Sequence, residues 1–300
     1  MARNRKITFI IIGFLFVLNI FAFSVVYYIS KPKPFEVIFL SVGQGDAIMI
    51  KTSENRQILI DGGPDSTILK KLSKEMPFYD RTLDLVILTH PEKDHLSGLL
   101  EVLKRYRVKN ILWTGIKRAL PEWQEWENLI KKEGAVIEIA KTGEKVIIEA
   151  GSSDIYIDVL SPMENLEGQE YKDSNSTSIV FKLVFGNISF LFTGDIGEAE
   201  EEKLVIQDNF CQNSCEFASL KSDVLKVSHH GSKNSSSEEF LKKVMPKTAI
   251  IEVGNNNYGH PTQEVLARLE KFGIQVLRTD IDGDIRFISG GKSLKINKEK

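Results

Sequence analysis

Residues 88–95 read LTHPEKDH and directly follow the apolar run LDLVIL. A strand that ends here and turns sharply directs several successive side chains into one space. Imidazole and carboxylate groups together suit zinc, manganese or iron, and two carboxylates favour harder ions. A solvated charged turn before a helix is the alternative interpretation. The side chains of this stretch that can bind a metal ion are His90, Glu92, Asp94 and His95.

Two other predicted strands end in residues of the same kinds. The run LFTGD ends at Asp195, whose carboxylate can bridge two cations or cap the acidic helix that follows. The run LKVSHHGS contains His229 and His230. Because side chains alternate along a strand, we expect one imidazole to bind metal and the other to face substrate, and the sequence leaves open which. In the loop GNNNYGHP, we expect His260 to contact substrate, with a turn residue as the alternative.

Short β-favouring runs alternate with amphipathic helical runs from Phe35 onward. Paired strand runs open each half of the chain, which predicts two sheets with helices on their outer faces in one domain. We therefore expect a single α/β domain over residues 35–300. The formal net charge of −2 excludes a strongly basic nucleic-acid coat, although a local basic groove needs only a few lysines or arginines.

The N-terminal region predicts a membrane anchor. Residues 7–30 form an apolar run longer than the roughly 20 residues that span a bilayer. The run exceeds a signal-peptide core and lacks an Ala-x-Ala cleavage site, so a cleaved signal peptide is the competing interpretation. We expect an uncleaved single-pass anchor over residues 1–30 and a linker over 31–34. The basic flank favours an N-terminus inside the cell and a catalytic domain outside the cytoplasm.

Two cysteines, Cys211 and Cys215, stand four positions apart. Outside the cytoplasm such a pair favours a local disulfide. A zinc half-site is the alternative, but no second pair of cysteines is nearby.

Taken together, the motifs resemble the metallo-β-lactamase fold superfamily, and within it the soluble domain of the ComEC/Rec2 competence proteins. The resemblance covers about residues 35–290 and implies a four-layer αβ/βα sandwich with a metal site along one edge. The stretches that carry it are FLSVGQGDAIMI (39–50), LIDGG (59–63), LTHPEKDHLSGL (88–99), FTGD (192–195), LKVSHHGSKNSSSEEFL (225–241), NNNYGHP (255–261) and VLRTDIDGDIRF (276–287).

The resemblance also implies roles for individual residues. One metal would be held by His90 and Glu92, and Asp195 would bridge it to a second. In the superfamily a metal-bound hydroxide attacks a phosphoryl or carbonyl centre. Asp46 would lie at the site, among the residues that contact substrate, and Asp61 would brace it. The residues implied at the second metal are Asp94, His95 and one of His229 and His230, and the residues implied in catalysis are Asp94, Asp195 and His230.

The sequence departs from the superfamily pattern twice. Glu92 stands where the widest pattern has histidine, and no histidine occurs from 96 to 228, where the superfamily usually supplies another ligand. We expect Asn175 or Ser178 to line the site instead and to contact substrate. One metal position is therefore harder or weaker, and we expect one or two divalent ions, Mn²⁺ or Zn²⁺ first, with Mg²⁺ compatible.

The leading hypothesis is an extracytoplasmic, metal-dependent phosphodiesterase that acts on nucleic acid. Lys233, in the run GSKNSSS, would hold phosphate oxygens, or that run is only a flexible helix entry. One alternative is a hydrolase of a cell-surface phosphoester such as phosphorylcholine, or of a lactam or ester. Another is a metal-depleted module that binds DNA or a protein partner. With one span the chain has no channel, so a role in DNA uptake would require a membrane-channel partner.

Overall fold

The computed structural model describes residues 2–29, 33–148, 154–211 and 219–299. It divides into two units, Met1–Lys33 and Pro34–Lys300. The first unit contains helix α1 (Ala2–Ile29), in which Arg5–Tyr27 has a mean hydropathy of 2.7. By length and composition, this helix is able to cross a membrane.

Two sheets form the second unit within the described residues. Its strands are β1 (Phe35–Phe39), β2 (Ile48–Lys51), β3 (Gln57–Ile60), β4 (Thr82–Ile87), β5 (Arg107–Trp113), β6 (Val136–Ile139), β7 (Lys145–Ile148), β8 (Ile155–Ser161), β9 (Val180–Phe185), β10 (Ile188–Phe192), β11 (Val224–Lys226), β12 (Thr248–Ile251), β13 (Gln275–Arg278), β14 (Asp284–Ser289) and β15 (Leu294–Glu299). The order is β15-β14-β1-β2-β3-β4-β5-β6 in one sheet and β13-β12-β11-β10-β9-β8-β7 in the other.

Seven helices accompany these sheets in the described part of the second unit. They are α2 (Thr67–Glu75), α3 (Lys93–Leu103), α4 (Pro121–Glu133), α5 (Glu198–Cys211), α6 (Glu238–Val244), α7 (Gln263–Lys271) and α8 (Thr279–Asp282). Two short 3-10 turns, Asn175–Thr177 and Ser228–Gly231, lie beside the candidate site described below. Cys215, the expected disulfide partner of Cys211, is one of residues 212–218, which lie outside the described residues.

Three hydrophobic cores separate four layers. The middle core packs one sheet on the other, with the rings of Phe39 and Phe192 stacked at 6.1 Å between centroids. The two outer cores pack α2, α3 and α4 against the first sheet and α5, α6 and α7 against the second. Each fully buried phenylalanine contributes roughly 2 kcal/mol through apolar burial. The predicted four-layer αβ/βα sandwich is therefore confirmed.

Helix α4 illustrates how the sequence specifies an outer layer. Its apolar residues Trp123, Trp126 and Ile130 recur at helical spacing and are buried against the first sheet. The helix ends at Gly134, whose φ of 69° lies in the left-handed region that glycine adopts readily.

The arrangement of strands brings several loops to one edge of the sandwich. Strand β4 is hydrogen-bonded in parallel to β3 and β5 in the first sheet. Strand β11 lies between the parallel neighbours β10 and β12 in the second sheet. Because the carboxyl ends of parallel strands present their loops together, the segments after β4, β10 and β11 meet at that edge.

Candidate metal centre

The loop after β4 is held by a buried carboxylate. Asp61 accepts hydrogen bonds from the Thr89 backbone N–H (2.8 Å) and the Thr89 hydroxyl (2.7 Å). Its Oδ2 also lies 2.8 Å from Nδ1 of His95. Helix α3 begins at Lys93, so Asp94 and His95 lie in its first turn. Asp61 thus orients both the loop and one imidazole.

Four side chains converge at this edge, and their possible ligand atoms all lie within 4.8 Å of one another. Nε2 of His95 and Nε2 of His230 each lie 3.4 Å from Oδ2 of Asp195. Nε2 of His230 lies 3.1 Å from Oδ2 of Asp94. Three of these side chains are buried, whereas that of Asp94 is 34% exposed, so the cluster opens to solvent on the Asp94 side. The cluster consists of Asp94, His95, Asp195 and His230.

The imidazoles of His95 and His230 are both oriented so that Nε2 is the available ligand atom. Nδ1 of His95 faces the Asp61 carboxylate, and Nδ1 of His230 lies 2.8 Å from the backbone carbonyl oxygen of Glu252. Since a carbonyl oxygen only accepts hydrogen bonds, Nδ1 of His230 carries a proton and donates, so Nε2 is the nitrogen that faces the other cluster residues. Nε2 of His95 makes no hydrogen bond within the described residues. This donor set fits a divalent cation.

The charges in the cluster influence one another strongly. Burial alone would lower the pKa of His230, but Asp195 and Asp46 outweigh it and raise that pKa to about 10. Burial would raise the pKa of Asp94, but His95 and His230 hold it well below its usual range. The carboxylates are therefore ionised, which is the form that binds a cation.

The turn that carries Asp195 depends on close backbone packing. Gly194 has a φ of 51°, and a Cβ there would come within 2.7 Å of Cβ of Ser178. The Asp195 backbone N–H donates to Oγ of Ser178 across 3.1 Å. Ser178, predicted to contact substrate, is fully buried and positions the Asp195 backbone.

A buried lysine that sequence reasoning missed lies beside the cluster. Nζ of Lys226 donates to the Gly194 carbonyl oxygen (2.8 Å) and to Oδ1 of Asp195 (3.2 Å), and it forms an ion pair with Asp46. Asp46, predicted to contact substrate, is 1% exposed and lies behind the cluster, 3.4 Å from Nδ1 of His230. The only signal in the sequence was a lysine inside the apolar run DVLKV.

Glu252 was also missed. It is fully buried at the end of β12, where its Oε1 accepts a hydrogen bond from the Ala47 backbone N–H across 3.0 Å. Burial raises the pKa of this carboxyl group well above its usual value, and nearby Asp46 adds to the effect. Its backbone carbonyl also holds His230, so the residue orients a ligand.

Glu92 lies outside the four-residue cluster. Its Oε1 accepts hydrogen bonds from Nη2 of Arg118 at 2.6 Å and from Oγ of Ser174. Arg118 also donates through Nη1 to the carbonyl oxygens of Tyr171 and Lys172, at 2.9 and 3.0 Å. The Glu92 carboxylate thus links the loop after β4 to residues 171–174.

His90 is buried next to the cluster. Its ring centroid lies 4.1 Å from that of His95, and its Nδ1 lies 3.1 Å from Oγ1 of Thr89. Burial, followed by the charge of His95, lowers the pKa of His90 to about 3. Its Nε2 has no hydrogen-bond partner among the described residues. His90 is therefore a neutral imidazole beside the cluster.

The two adjacent histidines diverge, but not through strand alternation. Strand β11 ends at Lys226, and His229 and His230 lie in the following turn with φ of 49° and 52°. His230 points into the cluster. His229 is half-buried, with Nε2 3.4 Å from Nδ2 of Asn175 and its ring 5.6 Å from that of His260. The structure thus brings His230, and not His229, to the ligand atoms.

Asn175, His260 and Lys233 are the remaining predicted substrate contacts. Asn175 and His260 both face His229, as the distances above show. Lys233 is exposed in the turn that follows the histidine pair.

Comparison with known proteins identifies similar sequences. The metallo-beta-lactamase superfamily profile matches residues 40–254. ComE operon protein 3 of Bacillus subtilis is 34% identical over 84% of this chain and 33% of its own length. Competence protein ComA of Neisseria gonorrhoeae is 30% identical over 85% of this chain and 32% of its own length. The chain therefore spans about one third of the length of these curated relatives.

Solved structures share the fold at low sequence identity. Igni18, a metallo hydrolase from Ignicoccus hospitalis, has a TM-score of 0.53 and 17% identity, and the match covers 84% of this chain and 98% of that one. The E377D mutant of CmlA beta-hydroxylase has a TM-score of 0.52 and 12% identity over 86% of this chain and 55% of that one. These likenesses support the architecture alone.

Proposed function

The chain belongs to the metallo-beta-lactamase superfamily and is a metal-dependent hydrolase with a His/Asp site, and from that premise we propose that it is an extracytoplasmic phosphodiesterase acting on nucleic acid. The observation that carries the proposal is the convergence of two oriented imidazoles and two carboxylates, open to solvent on the Asp94 side. Such a donor set suits a cation that handles phosphate oxygens.

In this proposal four residues of the site bind the cation. Asp94, His95, Asp195 and His230 hold the cation. When bound, a divalent cation supplies Lewis-acid polarisation of a phosphoryl oxygen and lowers the pKa of water.

Residues around these ligands orient them and bind substrate. Asp61 and the Glu252 carbonyl fix the ring orientations, and the Lys226 ammonium offsets the charge of Asp195 from inside the protein. Exposed Lys233 is suited to bind a non-bridging phosphate oxygen.

We propose that one ion is bound. A second ion at Asp46 and Asp61 would have to compete with the Lys226 ammonium and with the two hydrogen bonds from Thr89. On the His90 side, the Glu92 carboxylate is already bound by Arg118. Two imidazole nitrogens and two carboxylate oxygens suit Mn²⁺ or Zn²⁺ better than Mg²⁺, which prefers oxygen ligands.

Nucleic acid is the proposed substrate because the similar proteins are named for competence and recombination. "Recombination protein 2" of Haemophilus influenzae is 29% identical over 95% of this chain and 32% of its own length. We propose that any part in DNA uptake involves a membrane-channel partner.

The test uses the full chain purified in detergent. We expect about one ion per chain by elemental analysis, and cleavage of an end-labelled oligonucleotide with Mn²⁺ or Zn²⁺. Loss of a residue that only supports a ligand typically costs 10- to 100-fold in metal affinity or activity, so Asp195→Asn should lower cleavage by more than about 100-fold. Glu264→Gln, which changes an exposed acid in the first turn of α7, is the control. Absence of both bound ion and hydrolysis with every ion would overturn the proposal.

Helix α1 supports the proposed location. Its apolar segment Arg5–Tyr27 follows a basic terminus, which favours a cytoplasmic N-terminus. A protease added to intact cells should therefore digest a C-terminal epitope tag. Digestion only after the cells are permeabilised would place the catalytic domain inside instead.

A further inference from the structure

The loop between β12 and α7 presents an exposed aromatic ring at the mouth of the site. Tyr258 is 76% exposed, and its ring is stacked on that of His260 with an angle of 22° between the planes and 6.0 Å between centroids. An exposed tyrosine that is ordered by stacking against a residue of the site is a candidate substrate contact. Sequence reasoning did not single it out.

Tyr258 is the outermost member of a row of rings that leads to the cluster. From its ring the row passes to His260, then to His229 at 5.6 Å, and then to His230 at 6.2 Å between centroids. Exposure falls along the row, from 76% at Tyr258 to 2% at His230. A group that stacks on the free face of Tyr258 would therefore lie at the outer end of a row whose inner end is the cluster residue His230.

The turn that carries Tyr258 is held rigidly by one side chain. Nδ2 of Asn256 donates to the carbonyl oxygens of Gly254 and His260, each at 2.9 Å. Oδ1 of Asn256 accepts from the backbone N–H groups of Tyr258 and His260, at 3.0 and 3.1 Å. All four hydrogen-bonding positions of this amide are thus used. A ring fixed in this way loses little conformational entropy when a ligand stacks on it.

The far end of the loop is tied to the histidine turn. The Thr262 backbone N–H donates to the Gly231 carbonyl oxygen across 2.9 Å. A Cβ on Gly231 would come within 2.6 Å of Cβ of Pro261, so the two segments are in close contact. The position of Tyr258 is therefore fixed relative to His229 and His230.

We propose that the free face of Tyr258 binds an unpaired nucleobase of the strand whose phosphodiester lies at the cluster, so that the site takes single-stranded nucleic acid. This inference rests on the proposed function and specifies its substrate class. Every base has a flat π-face, and stacking on an aromatic side chain is largely independent of sequence. In a duplex both faces of a base are covered by its neighbours, so a duplex must first be unpaired or unstacked.

The shape of the contact favours a base over a quaternary ammonium group. Recognition of choline uses several aromatic walls that enclose the cation. Among the described residues, Tyr258 makes a ring contact with His260 only, and the two rings are nearly parallel. The result is one open, flat face, which suits a planar ligand.

The test compares Tyr258→Ala and Tyr258→Phe in the full chain in detergent. Two labelled single-stranded oligonucleotides serve as substrates. One carries all of its bases, and the other has the same length but has abasic sites in place of the bases around the cleavage position. We expect Tyr258→Ala to raise KM for the normal strand about 10-fold, within the range measured for loss of one base-stacking contact. We expect kcat to change little, Tyr258→Phe to remain within about twofold of the unmodified chain, and the abasic strand to show no effect of either substitution.

Tyr79→Ala is a matched control, because Tyr79 is 78% exposed and contacts Phe78 on the connection between α2 and β4. It should leave KM unchanged. An unchanged KM in Tyr258→Ala would overturn the inference, and so would an equal rise in KM with the abasic strand. In either case, cleavage by the unmodified chain would still support the proposed function.

Binding provides a readout that does not require catalysis. The dissociation constant of the labelled strand, measured by fluorescence anisotropy with a chelator present, should rise about 10-fold in Tyr258→Ala and not in Tyr79→Ala. An unchanged dissociation constant would count against the nucleobase contact, even if no cleavage were seen with any ion.

Discussion

Lys226 and Asp195 form an ion pair inside the protein, with Nζ 3.2 Å from Oδ1 and side-chain exposures of 1% and 3%. The same ammonium group contacts Asp46, which is equally buried. A lone lysine in such a place would favour its neutral form. Here burial lowers its pKa, but Asp46 and Asp195 outweigh burial and raise the pKa above its usual value, so Lys226 stays charged. The positive charge is part of the site.

Replacing this lysine tests its role as the internal counter-charge. Lys226→Met should reduce the free energy of unfolding by about 3–5 kcal/mol, because it leaves two buried carboxylates without their partner. Unfolding in urea would measure the change. Lys182→Met is the control, since Lys182 lies partly exposed on β9 and donates only to two backbone carbonyl oxygens, with an expected loss of about 1 kcal/mol.

A second substitution should partly restore the stability. In Lys226→Met/Asp46→Asn one of the two uncompensated charges is removed, so we expect a smaller loss than in Lys226→Met. An additive loss in the double variant would contradict the role assigned to the ammonium group.

The contact between Glu92 and Arg118 leads to a prediction about metal content. Glu92→Gln should retain about one ion per chain, because its carboxylate is engaged by Arg118 and Ser174 outside the cluster. Asp94→Asn should lose the ion. Elemental analysis of the purified variants would distinguish the two. Equal loss of metal in both would mean that Glu92 is a ligand.

A double-mutant cycle would measure the Glu92–Arg118 contact itself. Glu92→Gln and Arg118→Met should be non-additive in the free energy of unfolding by about 0.5–3 kcal/mol, the range for contacting residues in one network. Strict additivity would show that this contact, at 15% and 30% side-chain exposure, contributes little.

The sequence predicted the strand ends of the site because hydrophobic runs and the polar residues after them are local features. Asp94, His95, Asp195 and His230 each follow such a run or begin the next helix. The resemblance to a known superfamily then allowed these separate segments to be placed at one edge. The sandwich architecture was predictable for the same reason.

What could not be predicted depends on contacts between distant parts of the chain. Arg118 lies 26 positions and Ser174 lies 82 positions from Glu92, and nothing local indicates that they share its carboxylate. Lys226 occupies a strand of three residues, where a lysine ordinarily faces solvent. Only the loops packed against that strand end give it the partners Asp46 and Asp195.

Glu201 should make stability depend on pH. It is buried in α5, where it accepts hydrogen bonds from the backbone N–H groups of Ser236 and Ser237 at the start of α6. Burial raises its pKa from 4.5 to about 7. The folded state therefore binds this proton more tightly than the unfolded state, and stability falls as pH rises from about 4.5 to about 7.

The size of the effect follows from that difference in pKa. At about 1.4 kcal/mol per pH unit, Glu201 should account for a loss of about 3 kcal/mol across this range. Urea unfolding at a series of pH values should show a flatter profile for Glu201→Gln than for the unmodified chain. Glu202→Gln, at the exposed neighbouring position, should keep the original profile. Parallel profiles for the unmodified chain and Glu201→Gln would contradict the assignment.

The two adjacent histidines should separate metal binding from substrate handling. His230→Gln should lose both the bound ion and activity, because its Nε2 lies within 3.4 Å of both Asp94 and Asp195, and its Nδ1 is held by the Glu252 carbonyl. His229→Gln should keep about one ion per chain. Its kcat/KM should still fall by about 10-fold or more, because His229 lies between Asn175 and His260 on the substrate side.

Elemental analysis and steady-state kinetics on the same preparations would test this separation. Loss of the ion from His229→Gln would mean that the left-handed turn at 229–230 can present either ring to the cluster. Full activity in that variant would instead remove His229 from the substrate side. The φ values of 49° and 52° argue against exchange of the two rings. Few residues other than glycine adopt this left-handed backbone region, so the surrounding contacts must hold both histidines there.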